Sequence, residues 1–291
     1  IYLQYQFKKI ELHKRKIIFR DISWLSFNER VLQEAADESV PLRERIRFLG
    51  IFANNLDEFF RVRVATLNRM IEFGKKLRMH LELAPEAILE KIQELVLLQQ
   101  KEFDRIWNEI LRELKKEKIH LVTDKQLSKY QQSFLLDYFN EEIRSHIVPL
   151  MIQSIPNFPV LNDKSIYLAC KLSKKDKSVP QKFALVAVPT RRLPRFIILP
   201  SKTVDKYIIL LEDVIRFSLP HIFSYFGYDT FSAHIVKVTR DAEINIDNDV
   251  STSLIQKIEK GLKSRKVGKP VRFVFDKDID PALLTYLVQR M

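Results

Sequence analysis

From Pro85 to about Lys118, the residues Ile88, Ile92, Leu95, Val96, Phe103, Ile106, Ile110 and Leu114 recur at the spacing that lines one face of an α-helix. Pro85 suits the first helical position, where its missing N–H would have had no partner in any case. At about 1.5 Å per residue such a helix spans roughly 50 Å. A stripe of that length must be covered, and other helices are the nearest candidates. Residues 23–37, "SWLSFNERVLQEAAD", place Trp24, Phe27, Val31 and Ala35 on one side, with Ser23 available as cap. After Pro41 a second, shorter helix carries Leu42, Ile46, Leu49 and Ala53, and from Leu56 the pattern returns through Phe60, Val64 and Leu67 toward Gly74. Residues 1–118 therefore read as all-helical.

Asp124 can cap a further helix reaching about Ile147, and beyond it the texture changes. "SIYLACKL" (165–172), "KFALVAVP" (182–189) and "RFIILP" (195–200) are short, β-rich runs bounded by Pro, Ser or Lys. "LEDVIRFSLPHIFSYF" reads as helix despite Pro220, "AHIVKVT" as strand, "SLIQKIEKGLKSRK" as helix, "VRFVF" as strand, and the last segment as a helix opening on Asp280 and Pro281. The fold class expected is α+β: a helical domain over residues 1–118, then a mixed α+β domain over residues 119–291.

Lysine and arginine number 49 against 37 acidic residues, a net charge of +12. That excess favours a polyanionic partner, whether nucleic acid, a membrane surface, nucleotide phosphates or a phosphate polymer, although a solvated basic coat gives the same count. A single cysteine, Cys170, excludes an intramolecular disulfide and fits a reducing, cytoplasmic setting; its place in a strand marks it as a buried thiol rather than a nucleophile. No run approaches the roughly 20 apolar residues that cross a bilayer. The histidines form no metal-binding spacing, and 5 glycines supply no glycine-rich phosphate loop, so any phosphate must be held mainly by side chains.

Within "IFANNLDEFFRVRV", residues 51–64, two adjacent carboxamides interrupt an apolar run. Asn54 and Asn55 stand three positions before Asp57 and Glu58, close to a capping box for a helix starting near Leu56. Only one residue can occupy a cap, and a carboxamide's paired donor and acceptor also match the edge of an adenine ring. Among the basic groupings, Arg61 and Arg63 follow this segment, and Lys257, Lys260 and Lys263 form a charged stripe that reads as a solvated face. In "TRDAEI", residues 239–244, an ion-paired Arg240 could be held rigid for an anion.

The stretch "DISWLSFNERVLQEAADESVPLRERIRFLGIFANNLDEFFRVRVATL", residues 21–67, closely resembles the opening of bacterial polyphosphate kinase. "HIVPL", "VPTRRLPRFIILP", "VTRDAEI" and "VRFVF" follow in the order that family's second domain shows. The resemblance implies an enzyme that moves the terminal phosphate of ATP onto polyphosphate, with a helical N-terminal domain on the adenine side and an α+β domain serving in dimerisation and as a wall of a polyphosphate channel. The family's asparagine directly before L-D-E-F contacts adenine, which corresponds to Asn55 here and leaves Asn54 as the cap. Arg240, Arg61 and Arg63 are then candidate phosphate contacts.

In that family a histidine in two further C-terminal domains resembling phospholipase D becomes phosphorylated, and arginines there, with Mg²⁺, stabilise the transferring phosphate. This sequence has no H-x-K and is expected to be a portion that is inactive alone. The cofactors implied are ATP/ADP and Mg²⁺. The implied partners are ATP, polyphosphate and further copies of the chain in a homodimer or larger assembly, with no specific nucleic acid and no transmembrane segment, in the cytoplasm or peripherally at a membrane. The rival reading is a non-enzymatic basic module for RNA or polyphosphate; against RNA, the aromatic residues follow core periodicity rather than forming exposed stacking platforms.

Overall fold

The structure, a computed structural model, describes residues 19–72, 84–242 and 268–291. The helix expected over 253–266 and its lysine stripe lie outside the described residues. Two compact units emerge: Ile1–Phe59 with Thr66–Ile110, and Phe60–Ala65 with Leu111–Met291.

The first unit is helical. Helix α1 spans Arg20–Ala36 and α2 spans Leu42–Phe59. A π-helical turn, Phe60–Val64, which belongs to the second unit, leads into α3 at Ala65–Glu72. Helix α4 runs Pro85–Lys116 and buries Ile88, Ile92, Val96, Ile106 and Ile110, the stripe that the sequence predicts.

The inward faces of α1 and α2 differ from the expected ones. On α1 the buried positions are Asp21, Leu25, Asn28, Leu32 and Ala35, while Phe27 is 60% exposed. On α2 they are Arg45, Leu49, Phe52, Leu56 and Phe59, and Ala53 is exposed. Ala35 and Leu49 are buried as expected, but each stripe contains a polar residue, so hydrophobic periodicity alone sets each helix rotated from its observed face. Asn28 and Arg45 each make at least one hydrogen bond from a buried position. Arg45 Nε donates to the Ala35 carbonyl at 2.8 Å and Gln99 Nε2, on α4, to the Leu25 carbonyl at 3.0 Å.

Two expected caps are corrected. Ser23 lies inside α1, whose N-cap is Phe19, with no side-chain cap bond. Asp124 opens only a 3-10 turn, Asp124–Gln126; the next helix, α5, spans Lys129–Tyr138 and is capped by Ser128 with Gln131 in a reciprocal box.

The second unit is α+β. Its strands are β1 Ile119–Val122, β2 Pro149–Met151, β3 Ile166–Ser173, β4 Lys182–Ala187, β5 Phe196–Leu199, β6 Lys206–Leu210, β7 Thr230–Arg240 and β8 Pro270–Phe275. Helices α6 (Leu211–Phe217) and α7 (Leu219–Ile222) break at Ser218 because Pro220 can only sit in the first turn of a new helix. Helix α8, Pro281–Arg290, starts on Asp280, which accepts from the Ala282 and Leu283 amides.

One sheet has the order β1-β6-β5, the other β2-β4-β3-β7-β8. In the larger, antiparallel sheet β3 is buried on both faces. Leu168, Cys170 and Leu172 join a core with β4, α5 and α6, while Tyr167 and Ala169 face a second core built on Leu283 and Leu287 of α8. Burial on both sides explains why "SIYLACKL" is a continuous apolar run without alternation. Cys170 is fully buried there, and its thiol is pushed up to about 12, so it is inert as a nucleophile.

Candidate functional site

Helix α2 continues unbroken through both asparagines, so Asn54 is an exposed mid-helix residue and caps nothing. Asn55 is half-buried and has a different environment. Its Nδ2 donates to Asn28 Oδ1 at 3.0 Å, and Asn28 Nδ2 donates to the Phe52 carbonyl at 3.3 Å. Among the described residues no group donates to Asn55 Oδ1. Ile51, one turn earlier on the same face of α2, is 40% exposed and leaves apolar surface beside that carboxamide. Nearby, Trp24 stacks on Phe59 with ring centroids 4.7 Å apart, fixing the end of α2 against α1. The site therefore offers a held carboxamide with an unclaimed acceptor next to open apolar surface, which is chemistry suited to a flat heterocycle.

The three candidate arginines belong to the second unit. Arg61 Nη2 meets Asp163 at 2.7 Å, and Arg240 donates from Nε to the Leu161 carbonyl at 2.8 Å and from Nη1 to the Gly268 carbonyl at 2.7 Å. Two of the three thus converge on residues 161–163. Arg240 was expected to be ion-paired within its own motif; its bonded donors go instead to main-chain carbonyls. Burial lowers its pKa, opposed by the Asp163 charge. Arg63 is half-buried on the same π-helical turn as Arg61. π-Helical turns inside α-helices are frequent at functional sites. Phe60, at the start of this one, lies under the Arg272 guanidinium at 4.8 Å.

The second unit also holds a cleft of about 640 Å³ that no sequence pattern signals, lined by Asp124, Arg216, His234, Asp276 and Asp278 among others. Arg216 is its electrostatic centre. It pairs with Asp213, lies 3.6 Å from Asp276 and 3.8 Å from Asp124, and donates from Nε to the Ala233 carbonyl at 3.0 Å. Burial raises the Asp213 pKa to about 6; Arg216 opposes the rise, and Asp124, Glu212 and Asp276 add to it. Among the described residues, His234, Asp276 and Asp278 bring ligand atoms within 4.8 Å of one another. Asp276 Oδ2 is also held by the Ile235 amide at 2.7 Å. These groups come from β7 and from the turn after β8, so no linear spacing announces them.

The family model for the polyphosphate kinase N-terminal domain matches residues 17–122, and that for the polyphosphate kinase middle domain matches residues 130–291. A polyphosphate kinase of Vibrio vulnificus (strain YJ016) is 41% identical over 283 residues, covering 94% of this chain and 39% of that protein. That of Escherichia coli (strain K12) is 40% identical over 278 residues, covering 94% and 40% respectively. The crystal structure of polyphosphate kinase from Porphyromonas gingivalis superposes with a TM-score of 0.75 at 32% identity, over 94% of this chain and 37% of that one. The chain thus spans 39–40% of the length of these curated relatives. None of the described helices is long and apolar enough to cross a membrane. On two family models and relatives matched along nearly its whole length, the chain belongs to the polyphosphate kinase family, of which it carries the N-terminal and middle domains.

Proposed function

We propose that these two domains serve an enzyme that transfers the terminal phosphate of ATP to polyphosphate, and that the helical unit holds the adenine through Asn55. The observation that carries this reading is the Asn55 carboxamide, anchored at Nδ2 and open at Oδ1 beside the exposed Ile51. Arg61 and Arg240 are already committed to Asp163 and to carbonyls, so the nucleotide reading rests on Asn55 rather than on them. The phosphohistidine belongs to parts of the enzyme outside these two domains. Their own contribution is to bind and orient the nucleotide, which is worth rate only if the phosphate is thereby aligned with its nucleophile.

Mg²⁺ does not fit the ligands found here. The His234–Asp276–Asp278 group pairs a nitrogen donor with a carboxylate already engaged by Arg216 and a backbone amide, whereas Mg²⁺ takes oxygen ligands and keeps water. The second unit is proposed to carry contacts between copies of the chain. Strand β5 pairs only with β6 among the described strands and exposes Phe196 (64%) and Ile198 (74%) on one face, an edge that a second copy could cover. The nucleotide reading is tested by polymer synthesis in the intact enzyme: Asn55→Ala should raise KM for ATP with the fold unchanged, and an unaltered KM would count against it.

A further inference from the structure

We infer that Asn28, a fully buried residue of α1, is a positioning residue that sets which end of the Asn55 carboxamide faces the base, and through it the preference for a 6-aminopurine over a 6-oxopurine nucleotide. This rests on the reading that Asn55 meets the base. The geometry leaves no freedom in the assignment. The Phe52 carbonyl can only accept, so Asn28 must turn its Nδ2 toward it. That turn points Asn28 Oδ1 at Asn55, and an oxygen there can only accept, so Asn55 must supply Nδ2. One backbone oxygen thereby fixes two side-chain amides in series.

The consequence falls on the open side of Asn55. Its Oδ1 is presented as a fixed acceptor, with the second N–H of Nδ2 beside it. The C6 amine of adenine donates to such an oxygen while a neighbouring ring nitrogen accepts from the N–H, the same two-point match by which asparagine reads adenine in nucleic acids. The C6 oxygen of guanine or hypoxanthine would set acceptor against acceptor. An unrestrained carboxamide would rotate by half a turn and accept either purine. With Asn28 buried and its nitrogen committed to Phe52, rotation of Asn55 would instead bring two oxygens together at 3.0 Å, out of reach of water on the Asn28 side.

The test uses equilibrium binding of ATP, GTP and ITP to the intact enzyme and to variants. Wild type should favour ATP over GTP and ITP by about tenfold or more. Asn28→Ala and Asn28→Leu remove the acceptor and should shrink that ratio by about tenfold. Asn28→Asp, in its protonated form, donates its hydroxyl to the Phe52 carbonyl, keeps an acceptor facing Asn55 and should retain the ratio at pH values where that buried carboxyl stays protonated. Circular dichroism checks folding, and the volume kept by leucine guards against simple collapse in the alanine variant. Should neither variant fold, the wild-type comparison of ATP with ITP still decides: equal affinities overturn the proposal. If Asn55→Ala leaves ATP affinity unchanged, the base-contact reading itself fails. If Asn55→Ala weakens ATP while both acceptor-free variants keep the wild-type ratio, only the positioning role of Asn28 fails.

Discussion

Arg240, at the end of β7, donates from Nε to the Leu161 carbonyl at 2.8 Å, tying the sheet to the loop that precedes β3. The same guanidinium reaches the Gly268 carbonyl at 2.7 Å, so one residue satisfies two main-chain acceptors from distant parts of the sequence. A methionine at 240 would keep the stem and lose both bonds. Arg240→Met should therefore destabilise the second unit by about 2–3 kcal/mol, since hydrogen bonds to a charged donor are the stronger kind. Urea unfolding measures it; a change under about half a kcal/mol would show the ties to be incidental.

Gly268 is constrained for a different reason. A Cβ there would stand 2.5 Å from the Asp241 carbonyl oxygen, closer than real Cβ contacts come. The atom it would meet is backbone, and Asp241 N is itself bonded to the Lys269 carbonyl at 3.0 Å, so neither side yields easily. Gly268→Ala should lower stability by about 1–3 kcal/mol and increase hydrogen exchange at the start of β8. A melting temperature matching wild type would contradict this.

Asp213 gives stability a pH dependence of definite sign. Its carboxyl, with a side chain only 9% exposed, titrates near 6 in the folded protein. An unfolded aspartate titrates near about 3.9. Between these values the folded state holds a proton that the unfolded chain has released. The stabilisation from this group is thus complete below about pH 4 and is lost as pH rises through about 6. Asp213→Asn lacks the titration. Relative to the variant, wild type should lose about 1 kcal/mol between about pH 5 and about pH 7.5. A difference that stays constant with pH would contradict it.

The exposed pair on β5 predicts self-association through the second unit. Ile198→Lys puts a charge on an edge that now offers Phe196 and Ile198. Sedimentation of the intact enzyme should shift toward smaller species, with the melting temperature unchanged. An unaltered distribution would contradict it.

Much of this architecture was legible in the residues. The long stripe of α4, the unalternating apolar run of β3 and the Asp280–Pro281 start of α8 each arise from a local pattern with one physical solution. The inward faces of α1 and α2 were not, because Asn28 and Arg45 occupy core positions, and a polar residue at such a position is distinguishable from a surface one only once its partner is seen. Strands β1 and β6 carry no such local pattern. They are short and pair in parallel across more than eighty residues, so neither carries a turn signal for the other. Asn55 was singled out by its neighbours in sequence, but the bond that orients it comes from a residue 27 positions earlier. The cleft around Arg216 depends on tertiary contacts alone.

Contact between Asn55 and the adenine of ATP is read by calorimetric titration of ATP into the intact enzyme, wild type against Asn55→Ala. The dissociation constant should rise by about tenfold to a hundredfold, the range expected when one polar partner of a base is removed. Equal affinity in the two proteins, with the variant folded, would contradict it.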